Sequence, residues 1–189
     1  MRPGGGKAKG SGFEGQVAKK LSAKLAPLNF IRTQGSGARV GGKNFETIGQ
    51  MFGDDALKLF VGDVVPVNEK QAGVRFKHSI ECKSYKTPDN FTALVAGTAN
   101  IFKWMKEAEE DAVKVKRNPL LIFKWNNTPI FVAMSNQQMH PYRLTLSQGG
   151  EVIYVAYLDE LLNFPAFWYD SVIQSSQESQ NESQNSQST

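Results

Sequence analysis

Cysteine is almost absent from this chain. Cys82 stands alone among 189 residues, which excludes an intrachain disulfide framework, and with only two histidines a closed Cys/His zinc site is hard to assemble. Long apolar runs are missing too. None approaches the roughly 18 residues that span a bilayer, and the opening MRPGGGKAKGSG lacks the apolar stretch of a secretory signal. The sequence also lacks a GxxxxGK[ST] loop, a paired-histidine metal motif and a G-x-S-x-G elbow, so chemistries built on those motifs have no foothold. These absences set the expectation of a soluble protein of a reducing compartment, with no membrane partner.

What is present suffices for one core. Hydrophobic residues make up 40% of the chain and aromatic ones 11%, enough for a single well-packed domain. The net charge of +4 is unevenly placed: residues 1–40 hold eight Lys/Arg against Glu14 alone. Such a concentration suits either a surface that faces a polyanion or a solubilising arm. Residues 1–12 are glycine-rich and basic and read as a flexible arm. Residues 174–189 consist entirely of Ser, Gln, Asn, Glu and Thr and have nothing apolar to offset the entropy of ordering, so they read as a disordered tail. The folded domain is then residues 13–173.

Within it, Phe13, Val17, Leu21 and Leu25 recur every four residues and predict an amphipathic helix ending near Pro27. A short strand in NFIRTQ leads into a Gly/Ser-rich loop. FVGDVVPV and VRFKHSIEC read as two strands of a hairpin turning around residues 68–73. Asp89 or Asn90 can cap one long helix to about Lys116. PLLIFKW and TPIFVAM predict strands joined by the turn NNTP, and EVIYVAY a further strand. A short helix at Leu158–Leu162 and an aromatic cluster close the domain. The expected fold class is α/β with a mixed sheet.

One strand carries charge where a core strand is normally apolar. In HSIECKSYK, period-two alternation puts Glu81 and Lys83 on one face and Ile80 and Cys82 on the other. Cys82 is then a small buried hydrophobe. If the two strands pair, Asp63 of the preceding one can approach Glu81. Two carboxylates and a lysine gathered on a sheet face are costly to bury without a compensating ion. A divalent cation removes that cost. Magnesium takes oxygen ligands and keeps several waters, so Asp63, Glu81 and the Cys82 carbonyl would suffice, with phosphate and water completing the shell. Lys83 would stand beside the attacking water, and Glu14, at the edge of the first helix's stripe, could supply another carboxylate. The plainer reading is an exposed strand on which Glu81 and Lys83 are solvated neighbours.

The order helical Glu14 in GFEGQVAKKL, then GSGAR, then Asp63 in GDVV, then Glu81 and Lys83 in IECK resembles the PD-(D/E)XK nuclease superfamily. Within it the order is similar to archaeal-type and phage Holliday junction resolvases, over about residues 12–134. Gly62 stands where the motif has proline. The resemblance implies a restriction-endonuclease-like mixed central sheet flanked by helices, and a magnesium-dependent DNA endonuclease in which manganese can substitute. It implies Asp63 and Glu81 as metal ligands, Lys83 as the catalytic lysine, Glu14 as an accessory carboxylate and Ser36 as a contact to the scissile phosphate. Branched DNA, above all four-way junctions, a role in recombination, a homodimer with one site per nick and a bacterial or infected-cell cytoplasm are implied with it. Arg39, Lys86, Lys7 and Lys9 are the candidate DNA-binding cations.

Two rivals remain: a structure-indifferent nuclease of the same superfamily, and a non-catalytic DNA-binding module using the basic arm alone. Other conspicuous residues take plainer roles. Asp54 and Asp55 read as a helix cap, and His78, on the Ile80 face, as structural. Glu107, Glu109, Glu110 and Asp111 read as a solvated helix face, Trp104 as core, and Lys86 and Lys124 as groove or surface lysines.

Overall fold

The computed structural model describes residues 5–33, 50, 58–135 and 140–171. Helix α1 (Gly5–Lys24) buries Phe13, Val17 and Leu21, and Leu25 closes it by donating to the Leu21 carbonyl at 2.8 Å. The predicted stripe is its core face. The helix begins at Gly5, so the last eight residues of the segment read as an arm are helical. Once a packed helix exists, further turns extend it without repeating the cost of nucleation.

Strands β1 (Phe30–Arg32) and β2 (Val64–Pro66) precede a short helix α2 (Glu69–Ala72). Then come β3 (Val74–Phe76), β4 (His78–Tyr85), helices α3 (Phe91–Val95) and α4 (Asn100–Val115), and β5 (Asn118–Trp125). The remainder is β6 (Phe131–Ser135), β7 (Leu144–Gln148), β8 (Glu151–Tyr157), α5 (Leu158–Leu161), α6 (Pro165–Trp168) and β9 (Tyr169–Ser171). Among the described residues, seven strands form one mixed sheet in the order β1-β2-β4-β5-β6-β8-β7, and β3 pairs with β9 in a second, two-stranded sheet. Within the large sheet β4 and β5 run parallel, from His78 opposite Asn118 to Tyr85 opposite Trp125. Its other pairs are antiparallel.

Both faces of the central strands are covered, which is why LLIF in β5 is apolar without alternation. On one face Leu120 and Ile122 join Ile80, Cys82, Val132 and the α1 stripe. On the other, Leu121 and Phe123 join Ala133, Val155 and the α4 residues Ile101, Trp104, Met105 and Ala108. A parallel β4–β5 pair requires a crossover between them, and α3 and α4 supply it.

Several expectations are corrected. VRFKHSIEC is two strands, parted at Lys77: β3 leaves to pair with β9, and only β4 continues into the large sheet. The hairpin is correspondingly weak, with β2 and β4 sharing the single register Val64 opposite Ile80 and α2 lying between them. The long helix is also two. Asn90 caps α3 by accepting from the Ala93 N–H at 2.8 Å, but Gly97, at φ 69°, ends that segment before α4 begins. β7 and β9 answer to no sequence expectation. Residues 51–57, with Asp54 and Asp55, and the tail 174–189 lie outside the described residues.

Candidate active site

Strand β4 builds the site by exposing one edge. Beyond Ile80 β2 no longer pairs with β4, and among the described residues no strand takes its place beside Cys82 on that edge. Asp63 fills the gap. Its N–H donates to the Ile80 carbonyl at 2.7 Å, and its carboxylate Oδ2 accepts from the Cys82 N–H at 2.8 Å. In an extended strand a residue's N–H and C=O point to the same edge, so the Cys82 carbonyl faces the Asp63 side as well. The Cys82 thiol, by contrast, lies in the α1-side core.

Gly62 makes this latch possible. Its φ is 89°, and a Cβ there would stand 2.9 Å from the Ile80 carbonyl oxygen. Proline, the residue of the superfamily motif, is locked near φ −65° and cannot take this conformation. Glycine can.

Glu81 and Lys83 alternate onto the α4 side, opposite Leu121 and Phe123 in β5. Lys83 Nζ lies 2.7 Å from Glu81 Oε1 and 2.7 Å from Glu107 Oε2 on α4. Burial pushes the Glu81 carboxyl up to about 7, the negative charge of Asp63 pushes the same way, and Lys83 pulls against both. The Cys82 thiol is held well above its ordinary value by burial, then by Asp63, Glu81 and Glu14. Burial works to lower Lys83, but Glu81 and Glu107 outweigh it and hold the amine above the ordinary lysine range. Asp63 and Glu81 therefore sit close enough for the charge of one to act on the other.

Glu14 is engaged elsewhere: its Oε2 lies 2.6 Å from Arg32 Nε on β1. Its charge still reaches Cys82. Lys86 is exposed just beyond β4, and Lys124 Nζ is 3.3 Å from Gln16 Oε1 and 5.4 Å from the Phe13 ring centroid. Ser36 and Arg39 lie outside the described residues, and Lys7 and Lys9 are described only as backbone of α1. His78 is buried among Phe76, Phe167 and Trp168, with Nε2 2.8 Å from the Phe167 carbonyl oxygen, so it belongs to the core. Trp104 is core as well, 4.7 Å from the Tyr85 ring.

Glu107 is the residue that sequence reasoning placed in solvent. The only signal for it was its acidic helix, which looks the same in sequence whether it faces water or a lysine. Asp111, one turn further on, also acts on Glu81 by its charge.

Among the described residues no group of three or more His, Cys, Asp and Glu is arranged to hold a metal ion. The pair Asp63 and Glu81 nevertheless fits a hard cation in kind: both donors are oxygens, the charge of Asp63 acts on Glu81, and the Cys82 carbonyl faces the same edge. Magnesium, which retains waters, needs no more protein ligands than this.

A mixed sheet covered by a helix on each face, with an acid and a lysine on a central strand and a second acid bonded to that strand's edge, is the architecture of the restriction-endonuclease-like nucleases. Residues 5–157 match the family described as "Phage putative PDDEXK endonuclease". The chain belongs to this PD-(D/E)XK family and is by that membership a nuclease. No curated protein and no solved structure matches it. Among the described residues no helix is long and apolar enough to cross a membrane.

Proposed function

We propose that the protein is a divalent-metal-dependent DNA endonuclease that hydrolyses phosphodiester bonds in branched DNA, four-way junctions foremost, as a homodimer. The observation that carries the reading is the latch of Asp63 onto the strand that bears Glu81 and Lys83. Asp63, Glu81 and the Cys82 carbonyl would hold magnesium, or manganese in its place, with Glu14 as an accessory carboxylate. When bound, the cation supplies Lewis-acid activation of water and of the phosphoryl oxygen. Lys83 is cationic at neutral pH and neutralises charge that builds on the phosphorus. Ser36, Arg39, Lys86, Lys7 and Lys9 would bind the phosphate backbone, which positions DNA without reading sequence. Junction preference and the dimer draw their support from the resolvase-like order of Glu14, GSGAR, Asp63 and E-x-K.

The test is cleavage of labelled junction, linear duplex and single strand, each with and without magnesium, by wild type and Asp63→Asn. Magnesium-dependent junction nicking that Asp63→Asn abolishes, with DNA binding retained, is the expected outcome. Equal cutting of all shapes would remove the junction preference and leave a structure-indifferent nuclease. Binding without cleavage would leave the DNA-binding module.

A further inference from the structure

Lys83 has two anionic partners on different elements, and they are not equivalent. Glu81 lies two residues away on the same strand, with Oε1 2.7 Å from the amine. In the reading above it is also one of the carboxylates that would meet the cation, which competes with Lys83 for the same oxygens. Glu107 approaches from α4, with Oε2 2.7 Å from the amine, and its other oxygen lies 3.9 Å from Lys103 Nζ. Its helix is fixed in place there, because Trp104, Met105 and Ala108 around it are buried against the sheet.

A lysine side chain has a flexible four-carbon stem, and its rotamer freedom has to be removed if the amine is to sit at one point. Glu81 cannot do this alone once its oxygens are engaged. We propose that Glu107 is a positioning residue: it tethers Lys83 to α4, so that the amine stays beside the reacting phosphate when Glu81 is taken by the cation. This rests on the nuclease reading. Glu107 touches neither DNA nor metal in it.

The experiment compares wild type, Glu107→Gln, Glu107→Asp and Lys83→Ala, with equal melting temperatures as the check that all are folded. At saturating magnesium, Glu107→Gln is expected to lower kcat by about tenfold or more, the scale on which outer partners of a site act, with KM for DNA nearly unchanged. Glu107→Asp should recover part of the loss. A second readout needs no turnover: acylation of Lys83 by an amine-reactive reagent, followed by mass spectrometry. Lys83 should label slowly in wild type with or without magnesium, and several times faster in Glu107→Gln, most of all once magnesium is added.

Unchanged kcat and unchanged Lys83 labelling in Glu107→Gln, beside an inactive Lys83→Ala, would overturn this inference alone. So would a loss of magnesium affinity in Glu107→Gln measured by calorimetry, since that would make Glu107 a ligand. A wild-type protein that cuts no DNA would take down the nuclease reading, and the tether with it.

Discussion

The two faces of β4 are made by one run of eight residues and do opposite work. On the α1 side Ile80 and Cys82 enter a dry core with Leu120, Ile122 and the α1 stripe. On the α4 side Glu81 and Lys83 hold charge, and the helix above answers with Glu107. The same backbone thus anchors the fold with one set of residues and gathers charged groups with the alternate set. Charge is tolerated on one face because the carboxylates Glu81 and Glu107 have a lysine between them.

Paired substitutions break that comparison most directly. Glu81→Gln should reduce magnesium-dependent cleavage by about 10³-fold, the scale of losing a charge-stabilising group in a water-poor site, while leaving the melting temperature near wild type. Ile80→Ala, one residue away, should do the reverse: a loss of roughly 2–5 kcal/mol of stability, with cleavage per folded molecule close to wild type. Thermal melts and initial rates on both proteins decide the matter. Two variants that fail in the same way would show that the faces are not separable.

A pH titration sharpens the comparison, because the strand's first residue is a titratable group sealed in the dry core. Burial lowers His78 to about 4, its bond to the Phe167 carbonyl works against this, and Lys77 and Arg117 lower it further. Below the ordinary value of 6.5 the unfolded chain binds a proton that the folded one refuses. His78 therefore costs no stability above pH 6.5, and stability falls as pH drops from 6.5 toward 4, by about 3 kcal/mol in all. Denaturant melts of wild type and His78→Phe across that range should show the slope in the first and a flatter curve in the second. Equal slopes would mean that other groups govern acid stability.

The smallest effect is expected at the hinge between strand and site. Gly62→Ala forces an L-residue into positive φ and sets a methyl against the Ile80 carbonyl, at a cost of about 1–3 kcal/mol. Because the strain falls on the residue before Asp63, turnover should drop further than stability alone explains. A variant with altered melting temperature and normal turnover would show that the latch tolerates a different approach.

Local periodicity made much of this legible. The α1 stripe, the β5–β6 hairpin around NNTP, the Asn90 cap and the alternation of Glu81 with Ile80 are decided by neighbours in sequence, and so were readable there. What escaped depends on distant partners. Nothing within VRFKHSIEC marks Lys77 as a break; the break exists because β9 draws β3 away. β7 is an edge strand whose residues are mostly exposed, so it lacks the alternation that half-burial imposes. Gly97 did offer a signal, since a glycine inside a helical pattern can end it, and its positive φ is the reason α3 and α4 are separate. For the site, the acids and lysine were visible as a spacing, whereas the contact of Glu107 with Lys83 is a property of how α4 docks.

The Asp63 latch also bears on how precisely the two acids can be spaced. Asp63 is bonded to Ile80 and to Cys82, the residues on either side of Glu81. The gap between the carboxylates is thus gauged against the repeat of a single strand, which is stiff and nearly invariant in length. Opening of the Cys82 bond alone would release the Asp63 carboxylate from that gauge, since the Ile80 bond holds only its backbone.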